Sequence, residues 1–103
     1  MFTVRKHRLQ EGLNHISMPR YAEPLCIGAL PSGLHLWYRA PGWAVTLQNR
    51  IFVVVSDDQP FDAQSYDVRH IGSVVHAYIH AHVFELVTIE RHVEDDQLVE
   101  EGR

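Results

Sequence analysis

Histidine is the residue type whose number and spacing most invite a chemical role in this 103-residue chain, since four of its eight histidines lie between residues 69 and 89. His80 and His82 are two residues apart, so a β-strand would place both imidazoles on one face. A catalytic zinc needs three protein ligands, and His76 would be the third only if one unbroken strand carried all three histidines. No HExxH or CxxC motif supports a metal. We therefore predict that these histidines line the polar face of a hairpin, with no bound metal or other cofactor.

Nucleophilic and acidic side chains are also present, but their spacing predicts no catalytic site. Ser73 and several aspartates, Asp57 among them, are available as partners for a histidine. A nucleophile must nevertheless be held beside a base and an orienting group, and no phosphate-binding loop, dinucleotide fingerprint or nucleophile elbow occurs. The single cysteine, Cys26, has aliphatic neighbours on both sides, and we expect it to be buried as a small apolar side chain. We predict that the protein is not an enzyme.

Binding residues are easier to identify, because tryptophan, tyrosine and arginine bury a large area at low entropic cost and still form hydrogen bonds. On a strand, Trp37 and Arg39 would share a face, and Trp43 follows a turn nearby. A core position is the competing interpretation for Trp37, since tryptophan is highly buried on average. The residues that we predict to bind a ligand or partner are Trp37, Arg39, Trp43, Arg50, Tyr78, His80 and His82.

The longest apolar-rich stretch, residues 69–89, must position the clustered histidines. Its β-branched and aromatic residues are typical of a pleated, half-buried surface. Because the stretch is far longer than the usual strand of about 5–6 residues, we predict a hairpin in which a connection near His76–Tyr78 joins strands at 70–75 and 79–89. A second hairpin is predicted from strands at 25–30 and 34–39 around a Pro-Ser-Gly turn.

Three further strands complete the predicted fold. Residues 2–9 form a charged edge strand, residues 13–18 form a strand ended by Pro19, and residues 50–56 form a central strand that is apolar on both sides. The polar segment 57–66 is predicted as a loop, with one helical turn around residues 61–64 as the alternative. Together these elements predict a small antiparallel β-sandwich or open barrel of six to seven short strands with at most one short helix. We predict a single β-rich domain at residues 1–89 and an acidic C-terminal tail at residues 90–103, flexible or forming a short helix.

The formal net charge of −4 disfavours a general nucleic-acid binder, because binding to phosphate backbones needs a basic surface. The first residues lack an apolar segment typical of a signal peptide, and no run approaches the roughly 18 apolar residues of a membrane helix. A single cysteine rules out an intrachain disulfide and is typical of a reducing compartment. We therefore expect a cytoplasmic protein without membrane association.

A set of short motifs is shared with a known group of proteins. The motifs are His7-Arg8-Leu9, Met18-Pro19, Leu25–Gly28, Leu36-Trp37, Arg50-x-Phe52-x-Val54, Ile71-Gly72-Ser73 and His82-Val83-Phe84-Glu85. This pattern, over about residues 4–86, resembles a family of short uncharacterised proteins that is widespread in phage and prophage genomes. The chain departs from it at residues 56–60, where a Gly-rich turn is expected, and at Ala81, where an aromatic residue often occurs. The resemblance implies a viral origin and a small accessory role, and it carries no assigned activity.

These observations predict a protein that acts by binding. The leading hypothesis is a phage accessory protein that antagonises a host defence system by blocking a host protein, which makes the expected location the host cytoplasm. An alternative is a homo-oligomer that sequesters a small anionic ligand such as a nucleotide immune signal. Arg39, Arg50, Arg69 and the histidines would meet the phosphates, and a tryptophan or tyrosine would stack on the base. A structural component of the virion is the third alternative. A chain this short would gain stability from self-association, so we expect a homo-oligomer.

Overall fold

The computed structural model describes residues 1–43 and 46–88, and these residues form seven β-strands and no helix. The strands are β1 (Phe2–Arg8), β2 (Gly12–Pro19), β3 (Glu23–Leu30), β4 (Gly33–Pro41), β5 (Leu47–Ser56), β6 (Tyr66–His76) and β7 (Ile79–Thr88). The predicted all-β fold is confirmed. The alternative of a helical turn around residues 61–64 is wrong, because residues 61–63 have no regular secondary structure and residue 64 is in a turn. The predicted acidic tail, residues 90–103, lies outside the described residues.

The strands form two open antiparallel sheets that pack on each other. The three-stranded sheet has the order β1-β4-β3, and the four-stranded sheet has the order β2-β5-β7-β6. Alternate residues of β4, including Leu36 and Tyr38, face alternate residues of the other sheet, including Phe52 and Val83, in one shared core. The predicted antiparallel β-sandwich or open barrel is therefore confirmed as two open sheets, and β1 is the predicted edge strand, exposed along its whole length.

Strand β5 is buried on both faces over residues 52–55, as its nearly continuous apolar run predicts, whereas residues 47–49 at its start are exposed. Phe52 and Val54 point into the core between the sheets, whereas Val53 and Val55 belong to a second cluster on the outer face. The segment between β5 and β6 covers this outer face, with Phe61 packed against the cluster. Burial of both faces needs apolar residues at consecutive positions, which is why this strand lacks the usual alternation.

The β6–β7 hairpin sets the direction of the histidine-rich segment. The two strands pair from Tyr66↔Thr88 to His76↔Ile79, and the two-residue connection is Ala77-Tyr78, so the predicted hairpin is confirmed. Because the chain turns here, no single strand carries His76 together with His80. The side chain of His76 lies outside the described part of the structure, and its suggested ligand role stays untested.

The β3–β4 hairpin is also formed, around the predicted Pro-Ser-Gly turn. Gly33 has a φ of 130°, a conformation that glycine adopts without steric cost, so it starts β4 where other residues would be strained. The prediction that Cys26 is buried is wrong, because its thiol is exposed. Cys26 lies opposite Trp37 on the outer face of the three-stranded sheet, which the other sheet does not cover.

Within the described residues there is no helix of the length and apolar character that crossing a membrane requires.

Candidate functional site

A carboxylate joins two of the clustered histidines on the outer face of the four-stranded sheet. His80 and His82 point outward from β7, as their spacing predicts. The register of β5 on β7 pairs Val55 with His82 and Ser56 with Ala81. Asp57, the residue that follows β5, therefore emerges beside both imidazoles.

The three side chains converge on a small volume. The distance between His82 Nε2 and Asp57 Oδ1 is 2.6 Å, and His80 Nδ1 lies 3.8 Å from Asp57 Oδ2. The two imidazole ring centroids are 4.6 Å apart. One ligand atom from each residue can be chosen so that all three atoms lie within 4.8 Å of one another. This group, Asp57 with His80 and His82, is called the two-histidine cluster below.

Ser73 and His70 form a chain of hydrogen bonds on the side of the His82 ring opposite Asp57. Ser73 Oγ lies 2.8 Å from His82 Nδ1, and His70 Nε2 lies 3.0 Å from Ser73 Oγ. Ser73 reaches this position because β6 pairs it directly with His82. With Nδ1 engaged by the serine, the opposite ring nitrogen of His82 faces Asp57.

The electrostatics of the cluster favour an ionised carboxylate. The hydrogen bond from His82 lowers the pKa of Asp57 below its ordinary value. Desolvation acts in the opposite direction, and the charges of His80 and His82 lower the pKa further. Asp57 is the most exposed member, with 62% of its side chain accessible, against 49% for His80 and 24% for His82. The cluster therefore places a carboxylate beside two imidazoles at the protein surface.

Ser73, His82 and Asp57 are hydrogen-bonded in the order serine, histidine, aspartate, as in the catalytic triad of a hydrolase. The geometry nevertheless does not favour hydrolysis. An orienting aspartate is normally buried, where its interaction with the imidazole is strong. Here the aspartate is exposed, so water screens that interaction. Ser73 also lies within a strand rather than on the sharp turn that projects a nucleophile. The prediction that the chain is not an enzyme stays a prediction.

The predicted residues Trp37 and Arg39 share the outer face of the three-stranded sheet. Trp37 is half-buried, and its ring packs over Gly28, where an added Cβ would lie 3.2 Å from Trp37 Cζ3. The guanidinium of Arg39 pairs with Glu23 and lies 4.5 Å from the centroid of the Phe2 ring. Trp37 is therefore a partly exposed residue of this outer face and does not belong to the core between the sheets.

The other predicted aromatic residues lie at separate exposed positions. Trp43 follows β4, is 67% exposed and lies 5.6 Å from Tyr21, measured between ring centroids. Tyr78 is fully exposed at the tip of the β6–β7 hairpin. Neither residue is in the two-histidine cluster, so the seven predicted binding residues do not form one site.

Arg50 has structural partners. Its guanidinium donates two hydrogen bonds to Glu85, at 2.7 and 2.9 Å, and a third to the carbonyl of Ala22. Only 12% of the Arg50 side chain and 5% of the Glu85 side chain are exposed. Arg69 also approaches Glu85, at 3.7 Å. These contacts leave Arg50 poorly placed to meet an external anion.

A cleft of about 500 Å³ opens at one end of the sandwich, between the β1–β2 connection and the start of β7. Its wall is mixed, with Arg8 and Ser56 among aliphatic residues such as Leu34 and Ile79. The titratable residues of the two-histidine cluster do not line this cleft. We therefore take the cluster and the outer face of the three-stranded sheet as the candidate sites.

Sequence reasoning identified His80 and His82 but missed how Asp57, Ser73 and His70 join them. A strand pattern shows which residues share a face of one strand, whereas contacts between strands depend on the register. The sequence does show that Asp57 directly follows a strongly apolar strand, so its side chain is expected at the end of that strand, where the chain returns to solvent.

Comparison with known proteins places the chain in a family without an assigned activity. No curated protein and no solved structure matches the chain. The sequence model of a domain of unknown function, DUF7352, matches residues 1–93. Because this match spans most of the 103 residues, the chain belongs to the DUF7352 family.

Proposed function

We propose that this chain is a phage-encoded accessory protein that acts by binding a host protein, and that it binds through the outer face of the three-stranded sheet. One observation carries the proposal. This face is open to solvent, and it nevertheless combines aromatic and aliphatic side chains with a surplus of positive charge. The phage setting and the host cytoplasm as location rest on the resemblance described above, and antagonism of a host defence system is the proposed purpose of binding.

The apolar part of the face extends over two neighbouring strands. Residues directly opposite each other in an antiparallel pair share a face, so Val4 lies beside Arg39 and Lys6 beside Trp37. Phe2 and Val4 are 55% and 60% exposed. Single exposed apolar residues are ordinary, but a contiguous group that includes aromatic rings is typical of a binding surface.

The charged part of the face selects the chemistry of the partner. Lys6, Arg8 and Arg39 are countered on this face by Glu23, whereas the whole chain has a net charge of −4. A basic patch on an acidic protein steers it towards an acidic surface and away from partners of the wrong charge. The proposed partner is therefore a host protein with an acidic patch around an exposed apolar group.

The aromatic and basic side chains are partly held in place before binding. Arg39 is fixed between Glu23 and the Phe2 ring, and Trp37 is supported by Gly28 beneath it. Side chains that are already ordered lose less conformational entropy when a partner binds. This favours recognition by Trp37 and Arg39 over recognition by Tyr78, which extends freely from a hairpin tip.

The two alternative functions lack a comparable observation. Sequestration of an anionic ligand would use Arg39, Arg50, Arg69 and the histidines. Of these, Arg39 and Arg50 lie on different sheets, and each is paired with a glutamate. The homo-oligomer stays a prediction.

Cys26 provides a direct test, because its exposed thiol lies opposite Trp37 on the proposed surface. A thiol-linked photo-crosslinker at Cys26 should capture a host protein from lysate, and the capture should weaken as salt is added. The Trp37→Ala and Lys6→Glu variants should each reduce the captured amount at least about tenfold, the usual scale for an interface anchor. The purified partner should then bind the wild type and not these variants.

The matched control moves the thiol to the other side of the sandwich. In the Cys26→Ser, Ser17→Cys double variant the thiol lies on β2, on the exposed outer side of the four-stranded sheet. Equal crosslinking from both positions would show that the outer face of the three-stranded sheet is not the binding surface. Recovery of nucleic acid in place of a protein would also contradict the proposal.

A further inference from the structure

We propose that the two-histidine cluster, formed by Asp57, His80 and His82, binds a Zn²⁺ ion. This site is separate from the proposed protein-binding face, because it lies on the outer side of the other sheet. It reverses the sequence-based prediction that the chain binds no metal.

The donor set fits zinc. Imidazole nitrogen and carboxylate oxygen are ordinary zinc ligands, and three protein ligands with a fourth open position make a complete set for an accessible site. His80 offers Nδ1, His82 offers Nε2, and Asp57 offers either carboxylate oxygen. The Asp57 carboxylate would neutralise part of the charge of the Zn²⁺ ion, which a site of three neutral histidines would not do.

The spacing fits with small side-chain movements. Tetrahedral bonds of about 2.0–2.1 Å place neighbouring ligand atoms about 3.3 Å apart. His82 Nε2 lies 2.6 Å from Asp57 Oδ1 and His80 Nδ1 lies 3.8 Å from Asp57 Oδ2, and one ligand atom from each residue can be chosen with all three within 4.8 Å, so the ligand atoms need to shift by about 1–1.5 Å to reach that spacing. Zinc would replace the hydrogen bond between His82 and Asp57, and rotation of the exposed His80 ring would close the longer gap.

The surrounding residues already orient the ligands. A metal-binding histidine usually engages its other ring nitrogen with a partner that fixes the ring. Ser73 occupies this position at Nδ1 of His82, 2.8 Å away, and is itself hydrogen-bonded to His70.

The turn that carries Asp57 is also tied to the sheet. Gln59 Oε1 accepts a hydrogen bond from the backbone N–H of Ser56 at 2.9 Å, and the N–H of Gln59 donates to the Ser56 carbonyl at 3.2 Å. Asp58 adopts a φ of 65°, which reverses the chain immediately after the ligand. Asp57 is thereby held at the end of β5, beside the two histidines.

Zinc titration of the full chain, followed by isothermal calorimetry, tests the site. We expect one ion per chain at the cluster, and Asp57→Asn, His80→Ala and His82→Ala should each weaken binding by about tenfold or more. Ser73→Ala should weaken it by about 10–100-fold, the usual range for a residue that orients a ligand. Bound Co²⁺ should give the visible absorption of a tetrahedral site in the wild type and lose it in the ligand variants.

The control variants remove histidines elsewhere. His15 is exposed on β2, away from the cluster, and His92 lies in the C-terminal acidic segment. His15→Ala and His92→Ala should leave zinc affinity within about twofold, and circular dichroism should show that every variant is folded. The proposal is overturned if zinc in large excess does not bind, or if binding survives all three ligand variants.

Discussion

At the scale of single residues, the Arg50–Glu85 pair shows how a polar contact can be structural rather than functional. Both side chains are largely buried, and the guanidinium also satisfies the Ala22 carbonyl. Two charges removed from water are tolerated only when they pair closely, so loss of one partner leaves an uncompensated buried charge. The Arg39–Glu23 pair differs, because 43% and 58% of its side chains are accessible.

This difference predicts unequal costs for two chemically identical substitutions. Glu85→Gln should lower the free energy of unfolding by about 3 kcal/mol or more, because it leaves the Arg50 charge buried. Glu23→Gln should lower it by less than about 1 kcal/mol, since exposed ion pairs contribute little. Urea denaturation of both variants measures the two values. Equal effects would mean that the buried pair contributes no more to stability than the exposed one.

At the scale of elements, the β6–β7 connection is a turn whose sequence does not match its conformation. Ala77 and Tyr78 have φ values of 52° and 67°, the pair of positive angles that characterises a type I′ hairpin turn. Asn-Gly is the preferred sequence at such a turn, and other residues are strained in the left-handed region. The sequence therefore lacks the Asn-Gly signature that would locate this turn to two residues.

Replacing Ala77-Tyr78 by Asn-Gly should therefore stabilise the protein. We expect a gain of about 1–2 kcal/mol in the free energy of unfolding, because the strain at two positions is relieved. Thermal and urea denaturation check the value, and the single variant Ala77→Gly should give part of the gain. An unchanged midpoint would indicate that the turn conformation carries no strain.

The contact between β3 and β6 is a second element-scale feature, because it joins the two sheets at one edge. An added Cβ at Gly72 would lie 3.0 Å from Ile27 Cγ1, so glycine permits the close approach of the strands. A bulge between His70 and Gly72 accompanies the contact.

Gly72→Val should destabilise the fold by about 1–3 kcal/mol, the usual cost of overpacking a tight contact. Ile27→Ala in the same chain should recover part of that loss, because it removes the atoms that clash. A double-mutant cycle by urea denaturation measures the coupling between the two positions. Strictly additive effects would show that the predicted clash does not occur.

At the scale of the whole molecule, the shared core makes the two sheets depend on each other. The core cluster contains Leu36 and Tyr38 from the three-stranded sheet together with Phe52 and Val83 from the four-stranded sheet. Neither sheet can expose its inner face without also exposing the other. The two candidate sites are consequently on opposite outer sides of one cooperative unit.

This dependence predicts a single unfolding transition. In a Trp43→Phe background, the fluorescence of Trp37 reports on the three-stranded sheet, and far-ultraviolet circular dichroism reports on both sheets. The two probes should give the same urea midpoint, as two-state unfolding requires. Separate midpoints would show that one sheet unfolds before the other.

The sequence by itself determined the strands and their faces. Alternation places Leu36 and Tyr38 on one side of β4 and Trp37 and Arg39 on the other, and a continuous apolar run identifies β5 as buried on both faces. These properties are local, because the side-chain period of a strand is fixed by backbone geometry. The predicted strands and both hairpins follow from them.

Only the tertiary structure decided which residues meet across strands. The register of β5 on β7 brings Asp57 to His80 and His82, and the packing of the sheets leaves Cys26 exposed. A shift of one residue in the register would move every side chain of a strand to the opposite face, and the sequence pattern of one strand does not specify its partner. Contacts between residues far apart in the chain, such as Asp57 and His82, depend on that choice of partner and register.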